Sequence, residues 1–383
     1  MSLLEKYYTD EHQIFRESAR RYFENEITPN VEQWEKDGII PKKVWKRFGE
    51  LGFLCPWLSE EYGGSGADFL YSFILIEEAA RSHCGGFLFL LHNDVVVPYI
   101  SSYAKEEQKK KWLPKCINGD ISSSVAMTEP DAGSDLAAIR TTAIKNGDHY
   151  IINGQKTFIS SGINCDLVVL ATKTNIKADP PHTGVSLIAV EGGTPGFEKG
   201  KNLNKMGLHS NDTSELSFVD CKVPVENLLG EEGKGFQYLM EKLQQERLVL
   251  AISAQVAAAE ALRLTIDYTK ERTAFGRPVS RFQYISFELA KMATEVELGR
   301  SFLDNLIIEH MEGKDIVQKV SMAKYWIAEM LNRVVSKCVQ FHGGYGFMEE
   351  YPIARMFRDA RGQTIYGGTS EIMLLIIAKY LGL

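Results

Sequence analysis

Five places in this sequence gather residue types that bind or react. The first is Ala126 to Asp135, A-M-T-E-P-D-A-G-S-D. Its small residues, proline and hydroxyls can turn backbone N–H groups toward an acceptor-rich ligand. Composition alone favours a surface turn in which Ser134 caps a helix. The second is Lys156 to Gly162, K-T-F-I-S-S-G, an aromatic and two hydroxyls after a predicted hairpin. Standing alone it reads as a strand end. The third, Gln340 to Gly346, holds three glycines in four positions, which lets the backbone approach a ligand closely. A helix C-cap needs only one of them. The fourth is Tyr366 to Glu371, Y-G-G-T-S-E, before a final apolar run. Thr369 or Ser370 would cap that helix, whose N-terminus attracts phosphate. A cap explains the hydroxyl but not the paired glycines.

The fifth place is one carboxylate. At about 100° per residue, Leu239, Leu243, Glu246 and Leu250 fall on nearly one helical line. Glu246 therefore interrupts an apolar stripe. A charged group is rarely buried unless paired, and desolvation raises a carboxyl pKa. A structural ion pair and a general base both fit this position. Arg247 points about 100° away, so it is not the automatic partner.

Three stretches of chain must position these residues. Residues 1–120 read as an N-terminal helical domain. Phe15, Ala19 and Tyr22 recur at helical spacing, and Pro29 is expected to end that run. Val44, Phe48 and Leu51 repeat the pattern between Pro41 and Gly52, and Tyr71 to Arg81 predicts another helix. Residues 121–230 read as a small β-domain. Asn146-Gly147 and Asn153-Gly154 are both predicted hairpin turns, and strands are expected at 166–172, 184–190 and 214–219. Residues 231–383 read as a C-terminal bundle of long helices over 239–273, 283–312 and 315–341, with Gly313 placed to stop the second.

Composition removes several function classes. The chain has 383 residues, enough for two or three domains. Lys plus Arg total 43 against 50 Asp plus Glu, a net charge of −7, so no basic surface for nucleic acid is expected. No apolar run reaches the ~18 residues needed to span a bilayer. The N-terminus shows no secretory or transit pattern. The six cysteines form no C-x-x-C pair, and the eight histidines lack ligand spacing, so no metal site is expected. Reduced, buried thiols point to a cytoplasmic protein.

Taken in order, the segments T-E-P-D-A-G-S-D, K-T-F-I-S-S-G, E-R-T-A-F-G-R-P, Q-F-H-G-G-Y-G-F and Y-G-G-T-S-E-I resemble the acyl-CoA dehydrogenase family over essentially the whole chain. The resemblance implies an N-terminal all-α domain, a central β-domain and a C-terminal four-helix bundle, usually in a homotetramer. It implies FAD held between domains and across a subunit interface. The implied reaction is α,β-dehydrogenation of an acyl-CoA thioester to the trans-2-enoyl-CoA, with hydride transfer to flavin N5 and electrons passed to an electron-transferring flavoprotein.

Carried over by motif, Val125, Met127 and Thr128 line the flavin ring, and Phe158, Ile159 and Ser160 cover its other parts. Many members have Trp where this chain has Phe158. Arg272, Phe275, Gln283, Gln340, Gly343 and Gly344 are expected to hold the FAD pyrophosphate and adenosine, some from a neighbouring subunit. Thr369 and Glu371 contact the same FAD. Ser134 is expected to touch both cofactor and CoA, and Gln244, Arg247, Gly367 and Gly368 complete the substrate side.

One departure stands out. Medium- and short-chain members usually carry their catalytic Glu at the position of Gly367. Isovaleryl- and long-chain-type members instead place it on a helix of the C-terminal domain, in a segment like L-x-x-E-R-L. Leu243 to Leu248, L-Q-Q-E-R-L, is similar to that version, which makes Glu246 the expected base and leaves Gly367 as a backbone donor. Two other readings stay open: an oxygen-reacting relative such as an acyl-CoA oxidase or flavin monooxygenase, and a non-catalytic FAD-binding protein. The carboxylate at 246 argues against the second.

Overall fold

Helical periodicity in the first hundred residues gives helices that bury one face, apart from Phe69–Ala80, which has no exposed residue. The protein is described here by a computed structural model covering residues 3–383. Helix α1 (Asp10–Tyr22) starts at Thr9, whose hydroxyl accepts from the His12 N–H. It does not run to Pro29. α-Helical geometry stops at Tyr22, and a π turn and a 3₁₀ turn carry Pro29 into α2 (Val31–Asp37). Proline lacks an N–H that a first turn leaves unbonded anyway, so it starts this segment instead of ending one. Helices α3 (Lys42–Glu50), α4 (Phe69–Ala80), α5 (Val97–Tyr103) and α6 (Glu106–Ile117) follow. A π turn over Leu91–Val96 leads into α5.

The β-region is one eight-stranded sheet in the order β6-β7-β3-β2-β4-β5-β8, with β1 beside β4. The strands are β1 (Ser123–Ala126), β2 (Thr142–Asn146), β3 (His149–Ser160), β4 (Leu167–Lys173), β5 (Val185–Glu191), β6 (Phe197–Asn202), β7 (Thr213–Pro224) and β8 (Leu228–Leu229). Asn146-Gly147 is the expected hairpin turn between β2 and β3, with Gly147 at φ +63°. Asn153-Gly154 is not a turn. It lies inside β3 at a register shift opposite β7, with Gly154 at φ +152°. A Cβ there would stand 2.5 Å from Thr141 Oγ1, so close backbone approach, not chain reversal, requires this glycine.

Strand alternation joins the sheet to the helices. On β4, Val168 and Leu170 face the β-domain's own core, while Leu167, Val169 and Ala171 pack into the helical core. β5 divides in the same way, so these central strands are buried on both faces.

The C-terminal part begins with α7 (Gly235–Glu271) and a two-residue ladder of β9 (Thr273–Ala274) and β10 (Arg277–Pro278). Helices α8 (Gln283–Met311), α9 (Val317–His342), α10 (Pro352–Ala360) and α11 (Ser370–Tyr380) complete it. Gly313, at φ +72°, follows the end of α8 as expected. Helices α7, α8, α9 and α11 form the bundle. Buried Ala251, Ala254, Ala258 and Ala261 let α7 approach its neighbours closely. Among the described residues, α7 is long and apolar enough by length and composition to cross a membrane, and 56% of its most apolar window is buried inside the fold.

The two Asn-Gly glycines should respond differently to substitution. Gly147→Ala meets open space and only left-handed strain, about 1–2 kcal/mol. Gly154→Ala adds a clash with the Thr141 backbone and should lower the denaturation midpoint at least twice as far. Equal midpoint shifts would contradict the close-approach role.

Candidate active site

A cavity of about 270 Å³ lies where the three parts of the chain meet. Ile76 and Ala79 of α4, Val125 of β1, Ile159 of β3, Leu250 of α7 and Ala360 of α10 are among its walls. Glu246 and Gly367 open onto it together.

Helix α7 sets Glu246 one turn before Leu250, on the face that meets the cavity. Glu246 is 8% exposed, and its Oε2 has no hydrogen-bond partner among the described residues. Glu246 forms no ion pair among the described residues, Arg247 included. Burial raises its carboxyl to about 7, with the nearby Arg247 and Lys324 charges partly offsetting the rise. At about 1.4 kcal/mol per pKa unit, the net shift disfavours the charged form by roughly 3 kcal/mol. The group can therefore both take up and release a proton near neutral pH.

Gly367 and Gly368 follow one another at φ +65° and +94°, a turn that favours glycine at both positions. A Cβ on Gly367 would stand 3.7 Å from Glu246 Oε1 and 2.2 Å from Leu250 Cδ1. A side chain at 367 and the carboxylate of Glu246 thus converge on the same space, and Leu250 fills it. Lys324 of α9 donates to the Gly368 carbonyl. Arg247 is buried behind the turn with its Nε unpartnered, outside the cavity lining. Gln244 turns away: its Oε1 accepts from the Ile316 N–H at 3.0 Å.

The opposite wall is built by a buried ion pair. Lys156 is fully buried, and its Nζ donates to the Met127 carbonyl at 2.9 Å and to Glu129 Oε1 at 2.8 Å. Burial lowers the Lys156 ammonium to about 8, with Glu129 opposing that shift. Burial acts to raise the Glu129 carboxyl, but Lys156 and the Arg140 and Thr141 donors hold it below its usual range. Glu129 is fully engaged in shaping the loop and is no alternative base. The Thr157 N–H donates to the Thr128 carbonyl at 3.0 Å, locking the two loop segments together.

These anchors bring Val125, Met127, Thr128, Phe158, Ile159 and Ser160 into the cavity with Glu246 and Gly367. Phe158 sits at φ +59°, a strained backbone conformation for a residue with a side chain, and its ring is 68% exposed. A planar aromatic cofactor fits against such a wall. Ser134 is not among the lining residues. It lies on an exposed loop and caps no helix; Asp135 is the N-terminal flank of the following 3₁₀ turn.

A second hollow, of about 710 Å³, lies at the far ends of α7 and α9. Arg272, Gln340, Gly343 and Gly344 line it, with the Arg272 guanidinium 5.7 Å over the Tyr345 ring. Phe275, 95% exposed, and exposed Gln283 are outside its lining. Thr369 caps α11, accepting from the Ile372 N–H at 3.2 Å, and Glu371 is exposed in the first turn. Within one copy, six of the residues expected around FAD line the first cavity and four line the second hollow, while Ser134, Phe275, Gln283, Thr369 and Glu371 line neither.

Family models for the acyl-CoA dehydrogenase N-terminal, middle and C-terminal domains match residues 9–120, 124–221 and 233–382 in turn. This chain belongs to the acyl-CoA dehydrogenase family. It is 44% identical over 376 residues to the mitochondrial long-chain specific acyl-CoA dehydrogenase of Mus musculus, covering 98% of this chain and 87% of that protein. The crystal structure of an acyl-CoA dehydrogenase from Geobacillus kaustophilus superposes with a TM-score of 0.98 at 57% identity, covering all of both chains. The FAD complex of PigA superposes with a TM-score of 0.92 at 28% identity, covering 98% of each chain. The three-part architecture is that of the family, and the protein is an FAD-dependent oxidoreductase acting on acyl-CoA.

Two residues at the site escape motif reading. Leu250 belongs to the stripe of Glu246, but its contact with position 367 depends on how the last helix docks. Lys324 had a signal of the same kind as Glu246, a charge among Val320, Ala323, Ile327 and Leu331 on α9.

Removing Lys156 leaves Glu129 buried and unpaired, which typically costs about 3–5 kcal/mol. Lys156→Met should lower the thermal midpoint and release FAD during gel filtration. Retention of full FAD with an unchanged midpoint would remove the pair from its anchoring role.

Proposed function

We propose that this enzyme oxidises an acyl-CoA thioester to the trans-2-enoyl-CoA with Glu246 as the base that removes the α-proton. The observation that carries this reading is the unpartnered, buried Glu246 carboxylate beside the space a side chain at 367 would fill. The α-hydrogen of a thioester is weakly acidic, so the base must be held in place and the thioester oxygen must be stabilised. The Gly367 N–H is the proposed chain donor to that oxygen, and one preorganised donor is typically worth about 2.7–4 kcal/mol.

Val125, Met127, Thr128, Phe158, Ile159 and Ser160 would hold the flavin ring. Bound FAD supplies the acceptor for the β-hydride. Arg272, Gln340, Gly343 and Gly344 would hold the adenosine and pyrophosphate of a neighbouring subunit's FAD, with Phe275 and Gln283 beside them. Ser134, Thr369 and Glu371 would complete the cofactor contacts around the domain junction. The separation of Arg272, Gln340, Gly343 and Gly344 from the first cavity within one copy supports a shared cofactor. Exposed Tyr284, Phe287 and Leu298 on α8, with Leu374 and Leu375 on α11, supply an apolar surface for a homotetramer. An electron-transferring flavoprotein is the proposed electron acceptor. Six unpaired, buried cysteines accord with a reducing cytoplasmic setting.

The base must be ionised to act. Flavin reduction should therefore rise with pH through about 7 and level off above it. Glu246→Gln keeps the size but removes the basic oxygen. Anaerobic flavin bleaching by a good acyl-CoA should slow by about 10²–10⁴-fold while FAD stays bound. Bleaching near the parental rate would overturn the assignment. Moving the base to 367 needs space as well as a carboxylate, because Leu250 occupies the route. Glu246→Gln with Gly367→Glu should recover measurable bleaching only when Leu250→Ala is added. Rapid oxygen uptake by the reduced parent enzyme would instead favour the oxidase reading.

A further inference from the structure

Lys324 occupies a position where a charge is expensive. Helix α9 turns Val320, Ala323, Ile327 and Leu331 into the core, and Lys324 shares that face at 1% exposure. A buried ammonium is normally compensated by a carboxylate. Lys324 instead donates to the backbone carbonyl of Gly368 and forms no ion pair among the described residues. Glu329, the nearest carboxylate on its own helix, accepts from the Ser370 hydroxyl at 2.7 Å.

We propose that Lys324 is a positioning residue for the reaction, holding the Gly368 carbonyl so that the Gly367–Gly368 turn stays set against Glu246. The proposal rests on the reading of Glu246 as the base. Two successive glycines have more backbone freedom than any other pair, so a turn made of them needs outside restraint. The Thr369 cap restrains it on the α11 side. Lys324 restrains it from α9, behind the turn. The Gly367 N–H belongs to this turn, and a misplacement of about 1 Å at a reacting centre costs about 10²-fold in rate.

Lys324 also acts through its charge. Glu246 is faced by Arg247 of its own helix and by Lys324 of α9, and Tyr99 of α5 feels the carboxylate. Lys324 is itself faced by Arg247, Glu246, Glu329 and Glu371. Both cations favour the ionised form of Glu246. Loss of Lys324 therefore raises the Glu246 pKa and moves the acidic limb of the rate profile to higher pH.

The test compares parent, Lys324→Met and Lys324→Gln holoenzymes in anaerobic flavin bleaching across pH, with Glu246→Gln alongside. Gln keeps an N–H donor without the charge. Both Lys324 variants should retain FAD and shift the acidic limb upward. Lys324→Met should bleach at least tenfold more slowly at pH 7, and Lys324→Gln should recover part of the high-pH plateau. Amide exchange of the apoprotein over residues 366–371 should rise in Lys324→Met. If that variant does not fold, the limb of Lys324→Gln decides alone. An unshifted limb, with rate lost only in proportion to FAD, would make Lys324 merely structural and overturn the proposal. A fully active Glu246→Gln would sink the base reading. An inactive Glu246→Gln beside a parent-like Lys324→Gln would sink only the role of Lys324.

Discussion

A carboxylate buried without an ionic partner is the constraint around which this site is arranged. Glu246 lies on the face that α7 buries, and burial, partly offset by the Arg247 and Lys324 charges, sets its proton affinity near neutrality. Such a group persists only where the surrounding fold is stable enough to carry it. The 37-residue helix beneath it, with small alanines buried along its length, provides that support. Arg247 and Lys324 lie close enough to moderate the shift but too far to neutralise the carboxylate as partners. A direct ion pair would have lowered the pKa and taken up the oxygen that must accept a proton.

The glycine turn completes the same geometry from the other side. A side chain at Gly367 would project toward Glu246, so the fold offers two routes for a carboxylate to reach one point. In this chain the route from 367 is closed by Leu250, and the route from α7 is open. Exchanging the routes requires changes in both backbone and packing. The cofactor wall is held independently, by Lys156 and Glu129 binding the loop after β1 to the end of β3.

Much of this was legible in the residues. The odd charge in the Leu239–Leu250 stripe, the paired glycines and the order of helical, β and helical segments all mark themselves through periodicity. Asn153-Gly154 misled because the dipeptide reports tolerance of unusual φ, which a strand bulge against Thr141 uses as well as a turn does. Pro29 misled because a proline that ends one helix can begin the next. Gln244 and Arg247 neighbour Glu246 in sequence, yet α7 points them to Ile316 and behind the turn. Lys324 marks itself as a charge on an apolar stripe, but its contact with Gly368, like that of Leu250 with position 367, exists only once tertiary docking brings α9, α7 and the last turn together. No local pattern records that distance.

The central claim concerns one proton, and proton exchange tests it without the later electron transfer. An acyl-CoA analogue with sulfur in place of the β-carbon has an α-hydrogen but no β-hydrogen to give up. Holoenzyme and analogue in D₂O, followed by NMR of the α-position, report proton removal alone. The account predicts enzyme-dependent exchange that accelerates as pH rises through about 7 and falls to background in Glu246→Gln. Exchange at the parental rate in Glu246→Gln, with FAD and analogue bound, would contradict it.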